Sequence, residues 1–117
     1  MSPKPNSGPE ALLPLTHVVY HVLVSLSGEP RHGYGIIKNV LERTEGDVEL
    51  EAGTLYAAIR RMRDDGLLTE VPAPAGADAR RRYYAITELG RETARAESRR
   101  LESLVALARD ARLLPAR

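Results

Sequence analysis

Residues 51–68 read EAGTLYAAIRRMRDDGLL, and the spacing within this stretch decides the fold. Leu55, Ala58, Ile59 and Met62 recur at intervals of three and four, so a helix beginning near Ala52 gathers them on one face. Asp64-Asp65-Gly66 closes that helix, because glycine suits the position just past a helix end. Projected at about 100° per residue, Leu55, Ile59 and Met62 point one way. Gly53, Ala57, Arg60 and Arg61 point the other way, with Thr54 and Tyr56 on the flanks. The outward face is therefore small and basic.

Working outward, Leu67–Val71 and Arg82–Thr87 read as two strands separated by PAPAGADA, which predicts a hairpin with a long tip. Upstream, residues 33–43 carry Tyr34, Ile37, Val40 and Leu41 as one apolar stripe, and Glu45-Gly46 ends that second helix. Before it, LLPLTHVVYHVLVSLS from Leu12 to Ser27 is apolar nearly all round and predicts a helix buried on more than one side. Its entry lies near Pro14 and Thr16, and Gly28-Glu29-Pro30 stops it. Residues 1–10 hold three Pro, two Ser, one Gly and one Asn with no hydrophobic period, a composition expected to form a disordered tail.

From Glu88 onward, ELGRETARAESRRLESLVALARDARLL has no Pro and no Gly after Gly90, which predicts one long helix. Its apolar residues Leu101, Leu104, Val105, Ala108, Ala111 and Leu114 recur at intervals of three and four, whereas Arg91–Arg100 is mostly charged and expected to be solvated. A stripe projecting beyond a small domain needs a cover, and a second copy of the same chain supplies it most simply. The expected organisation is a tail at 1–10, a domain of three helices and a hairpin at 11–87 and a dimerisation helix at 88–114.

Composition narrows the function. A chain of 117 residues fits one domain, and 43% hydrophobic with 28% charged residues is an ordinary globular balance. Phe and Trp are absent, so Leu, Val, Ile and Ala must build the core, which favours helices. Without Cys there are no disulfides, thiolate metal sites or cysteine nucleophiles. No apolar run approaches the roughly 20 residues that cross a bilayer, and no signal-peptide core opens the chain, so a cytoplasmic protein with no membrane partner is expected. The net charge of +1 is slight for a nucleic-acid binder, so that reading depends on where the charges sit.

Three helices followed by a two-stranded wing describe a winged helix-turn-helix, mainly α with a small β-hairpin, in which the third helix enters the DNA major groove. HGYGIIKNV at 32–40, EAGTLYAAIRRMRDDGLL at 51–68 and RRRYYAITELGRETA at 80–94 resemble, in order and spacing, the motifs of the PadR family of bacterial transcriptional regulators. The single C-terminal helix resembles the smaller subtype of that family. The resemblance implies a homodimeric, non-enzymatic regulator without cofactors, most simply a repressor, that binds double-stranded DNA at a near-palindromic operator. It also implies release by a small, often aromatic effector. Two positions depart from the family pattern: Glu51-Ala52 replaces a small polar residue before GTLY, and Gly35 follows HGY where Glu is frequent. Residues 42–51 hold five acids against one base, an approach to the reading helix that repels phosphate.

The DNA-binding set implied is Gly53, Thr54, Tyr56, Ala57, Arg60 and Arg61 on the third helix, Arg80, Arg81 and Arg82 on the wing, His32 ahead of the second helix and Tyr34 at its start. Read from residues alone, the arginines fit either base and phosphate contact or a solvated basic face, and His32 fits either phosphate contact or helix capping. Of Tyr83 and Tyr84, one should face the core and one outward, and Thr87 should cap the last helix. His17 and His21 at i and i+4 have metal-ligand spacing but no third ligand and no intervening Glu, so a packed pair is expected and no metal. With Tyr20 they are candidates to line an effector pocket. The competing function is a winged-helix module that uses the same face to bind a protein.

Overall fold

The computed structural model describes residues 8–116, and the part of the expected tail at 1–7 lies outside the described residues. Pro9–Leu12 forms a short 3₁₀ turn with proline at its start, so Pro9 and Glu10 belong to a structured segment. Helix α1 spans His17–Leu26, α2 Gly33–Arg43, α3 Ala52–Asp64 and α4 Glu88–Asp110. Strands β1 (Arg31–His32), β2 (Leu68–Val71) and β3 (Tyr83–Ile86) form an antiparallel sheet in the order β1-β3-β2.

Helix α1 begins five residues later than its apolar run suggests. Thr16 sits in extended backbone, and its side chain accepts the Val19 N–H, which fixes the start at His17. Val22, Leu23 and Leu26 of α1 then meet Ile36 and Val40 of α2 and Leu55, Ile59 and Met62 of α3, all fully buried. Leu67, Leu68 and Tyr84 close this core from the sheet side. Tyr83 is only half-buried while Tyr84 is buried, the alternation expected of a strand with one face packed.

The sequence reading contained a two-stranded hairpin, and the third strand is new. Arg31 pairs with Tyr84 and His32 with Tyr83, so the wing is stitched to the start of α2. Two residues are too few to show a period, and Pro30 just before them reads as loop. The Arg31 guanidinium also donates to the Ser25 carbonyl, anchoring the strand to α1.

Two parts of α4 differ from expectation. Its first half packs against the body, burying Gly90, Thr93, Ala96 and Glu97. Thr87 caps the helix by accepting the Gly90 N–H, and a side chain at Gly90 would collide with the Leu67 carbonyl. Further along, the Glu97 carboxylate accepts the Leu15 N–H and the Arg100 guanidinium, tying α4 to the segment before α1. The helix ends at Asp110, so Ala111 is its cap and Leu114 lies beyond it. The cause is Arg112, which takes left-handed backbone at φ 62°, while the Leu113 N–H bonds back to the Ala108 carbonyl.

Candidate nucleic-acid interface

Helix α3 buries Leu55, Ala58, Ile59 and Met62 and leaves Gly53, Thr54, Tyr56, Ala57, Arg60 and Arg61 exposed. The two arginines point apart. Arg60 lines a crevice of about 290 Å³ between α3 and the sheet, together with Tyr56, Arg63, Arg82 and Tyr84. Arg61 instead faces a groove toward the start of α1, beside Leu15 and Thr16. Neither forms an ion pair among the described residues. Arg63 was missed in the sequence reading because it lies at the edge of the buried face. Its spacing of three from Arg60 and seven from Tyr56 is the signal that could have found it.

A second cleft, of about 280 Å³, lies between the wing and the start of α2. His32, Gly33, Tyr34, Tyr56, Arg80, Arg81, Arg82 and Tyr84 line it. Tyr56 borders both clefts, and its hydroxyl occupies the space that a side chain on Gly33 would need. A side chain on Gly33 would therefore have to push the Tyr56 ring aside, so the glycine of the HGY stretch and the tyrosine of GTLY are in close approach, a contact that sequence spacing alone does not reveal.

His32 caps α2: its Nδ1 accepts the Gly35 N–H at 2.9 Å, so Nδ1 carries no proton. Arg81 Nη1 lies 3.0 Å from Nδ1 and 2.9 Å from Nε2 of the same ring. An atom so close to both nitrogens must sit over the ring face, since an in-plane position would overlap the carbon between them. Burial first, and then the Arg81 charge, hold His32 below the usual histidine range, which keeps the ring neutral at pH 7. Tyr34, largely exposed, lies nearly parallel to His32 at 6.4 Å between centroids, and the Arg81 guanidinium is 6.0 Å from its ring centre.

The three wing arginines occupy different environments. Arg80 grips Asp78 with both ends of its fork, at 3.1 Å and 3.1 Å. Arg82 lies 3.9 Å from Glu70, which also faces Arg63 at 4.0 Å. Arg81 has the uncharged imidazole of His32 as its neighbour and forms no ion pair among the described residues. In the acidic approach to α3, Glu51 takes the cap position without making a side-chain cap bond.

The other expected sites lie away from this face. Leu104, Val105 and Leu114 are exposed, as is Leu107, which the three-and-four spacing had omitted; Leu101 and Ala108 are half-buried. His17 and His21 pack edge to face at 4.4 Å, and among the described residues no third metal-type ligand joins them. Tyr20 turns toward α4, where its hydroxyl meets Ser98 at 2.8 Å. Ser98 borders a groove of about 410 Å³ between α1 and α4, floored by Leu23, Val24 and Ile86 and rimmed by Arg91, Arg95 and Arg99. No helix among the described residues is long and apolar enough to cross a membrane.

The pattern of the transcriptional regulator PadR-like family matches residues 22–96, well over half of the chain. Among solved structures, a PadR family transcription regulator of Clostridium difficile superposes with a TM-score of 0.69 at 21% identity, covering 81% of this chain and 97% of that one. A PadR family regulator of Eggerthella lenta gives 0.62 at 28% identity over 82% of each chain. Bacillus subtilis PadR, solved in complex with operator DNA, gives 0.60 at 18% identity, covering 69% of this chain and 46% of that one. With the family pattern running from inside α1 to inside α4 across the whole wing, this chain belongs to the PadR-like family of transcriptional regulators.

Proposed function

We propose that this regulator binds double-stranded DNA as a homodimer and acts as a repressor by occupying a near-palindromic operator, one winged helix per half-site. The observation that carries the reading is the outer face of α3. It is small at Gly53 and Ala57, can hydrogen-bond at Thr54 and Tyr56, and carries Arg60, which forms no ion pair among the described residues. Small residues permit close approach to base edges, and an unpaired arginine is available for guanine or phosphate. The wing stands beside it, so both can address one stretch of duplex. That the Bacillus subtilis relative was solved in complex with operator DNA supports the DNA-binding reading.

The dimer finds support in the exposed Leu104, Val105 and Leu107 on the projecting end of α4. An effector finds its best support in the groove between α1 and α4, whose apolar floor and arginine rim suit a small aromatic compound. That placement gives Tyr20 a role through Ser98 and leaves His17 and the half-buried His21 outside the groove. A gel shift with the DNA upstream of the protein's own coding sequence, against random duplex, tests the reading. Arg60→Ala should lower discrimination between the two by about 1 to 3 kcal/mol, the worth of one bidentate base contact. Equal weakening on both duplexes would make Arg60 a backbone contact, and failure of the wild type to prefer any upstream sequence would point to a protein partner.

A further inference from the structure

Asp78 and Glu70 stand against the wing arginines much as phosphates would. Arg80 holds Asp78 through Nε and Nη2, each 3.1 Å from a different carboxylate oxygen, and the Arg80 backbone N–H adds a third bond at 3.0 Å. The planar guanidinium fork grips carboxylate and phosphate in the same two-point geometry. Glu70 on β2 lies opposite Tyr84 in the ladder and reaches toward two arginines from different elements, Arg82 beside β3 and Arg63 on α3. It therefore sits over the crevice that Arg60, Arg63 and Arg82 line. Among the described residues Arg63, Arg80 and Arg82 each face a carboxylate of their own chain, whereas Arg60 and Arg81 form no ion pair. The Arg80 hydrogen bonds hold the Asp78 carboxyl below the usual carboxylate range, so it stays charged and competent to compete at neutral pH.

We infer that Glu70 and Asp78 are internal stand-ins for DNA phosphates: they occupy Arg80, Arg82 and Arg63 in the free protein and must be displaced when the duplex docks. The inference rests on the DNA-binding reading and deepens it, because it names what sets the affinity of that site. Each displaced pair offsets part of the gain from a new phosphate contact. The wing is thereby kept from clinging to arbitrary DNA, and Arg81 is left to make the first contact. Exposed pairs of this kind are individually weak, so the effect is graded rather than all-or-none.

The test measures binding to a labelled random-sequence duplex by fluorescence anisotropy across a salt series. The proteins are the wild type, Glu70→Gln, Asp78→Asn, the double variant, and Glu92→Gln on the exposed side of α4 as a control with the same charge change. Each wing variant should bind about 1.5 to 5 times more tightly than the control, as expected for release of an exposed ion pair. Because the displaced arginines reach phosphate in wild type and variant alike, its slope of log affinity against log salt should change by less than about 0.9, the step that a whole additional phosphate contact would add. Circular dichroism checks that the folds match. Wing variants no tighter than Glu92→Gln, or slopes steeper by about 0.9 or more, which would mean that the carboxylates are not displaced in the wild-type complex, would overturn the inference while leaving wild-type binding intact. Absence of wild-type binding to any duplex would overturn the DNA-binding reading itself, and this inference with it.

Discussion

The two halves of α4 reverse what their compositions suggest. Glu88–Arg100 is rich in charge yet contributes four buried positions, whereas the stretch from Leu101 is apolar yet leaves Leu104, Val105 and Leu107 exposed at 48%, 38% and 62%. The first half is held by fit and by polar bonds: a glycine against the Leu67 carbonyl, and a buried Glu97 satisfied by Leu15 and Arg100. The second half has an apolar surface that the described residues leave open at Leu104, Val105 and Leu107. Burial thus follows from what lies opposite a helix as much as from what the helix carries.

Substitution can break each half separately. Gly90→Val should cost the most, about 3 kcal/mol or more in chemical denaturation, because a branched side chain must push against backbone that cannot rotate away. Stability unchanged by this substitution would mean that the first half of α4 does not depend on its close approach. Leu104→Glu should leave the monomer fold intact and weaken self-association by at least about tenfold, or roughly 1.4 kcal/mol. Sedimentation of wild type and variant at equal concentration reads this directly, and identical association would place the interface elsewhere.

The smallest effect concerns acid. The Arg100 hydrogen bonds, reinforced by the Leu15 N–H, hold Glu97 below the usual carboxylate range. A depressed folded-state pKa contributes stability that is present above the unfolded value and is lost as pH falls through the folded one. Wild-type stability should therefore drop below about pH 4.5, and Glu97→Gln should flatten that part of the profile while lowering the plateau at pH 7. Parallel curves for the two proteins would show that another carboxylate carries the acid response.

Much of the fold was legible because three helices and two strands announce themselves through apolar spacing. Leu55, Ala58, Ile59 and Met62 form the inward face expected of them, and Thr87 with Gly90 forms the expected cap. The 3₁₀ turn at Pro9–Leu12 and the strand Arg31–His32 were not legible, since each is held by contacts with segments distant in sequence. The burial of Thr93 and Glu97 was hidden for the same reason: a charged residue reads as surface until its partners are known. At the candidate site, spacing located the face of α3 and the wing cluster. It could not reveal that Tyr56 lies close over Gly33, or that Arg80 is engaged by Asp78 while Arg81 lies on His32.

The proposed function needs both ends of the molecule: a reading face on α3 and the wing, duplicated through the exposed end of α4. Selection of bound duplexes from a pool of random sequences tests both at once. An inverted repeat should be enriched, with half-sites about 10 base pairs apart or a multiple of that spacing, as two symmetry-related helices require. Enrichment of a single unrepeated motif, or none at all, would overturn the dimeric DNA-binding reading.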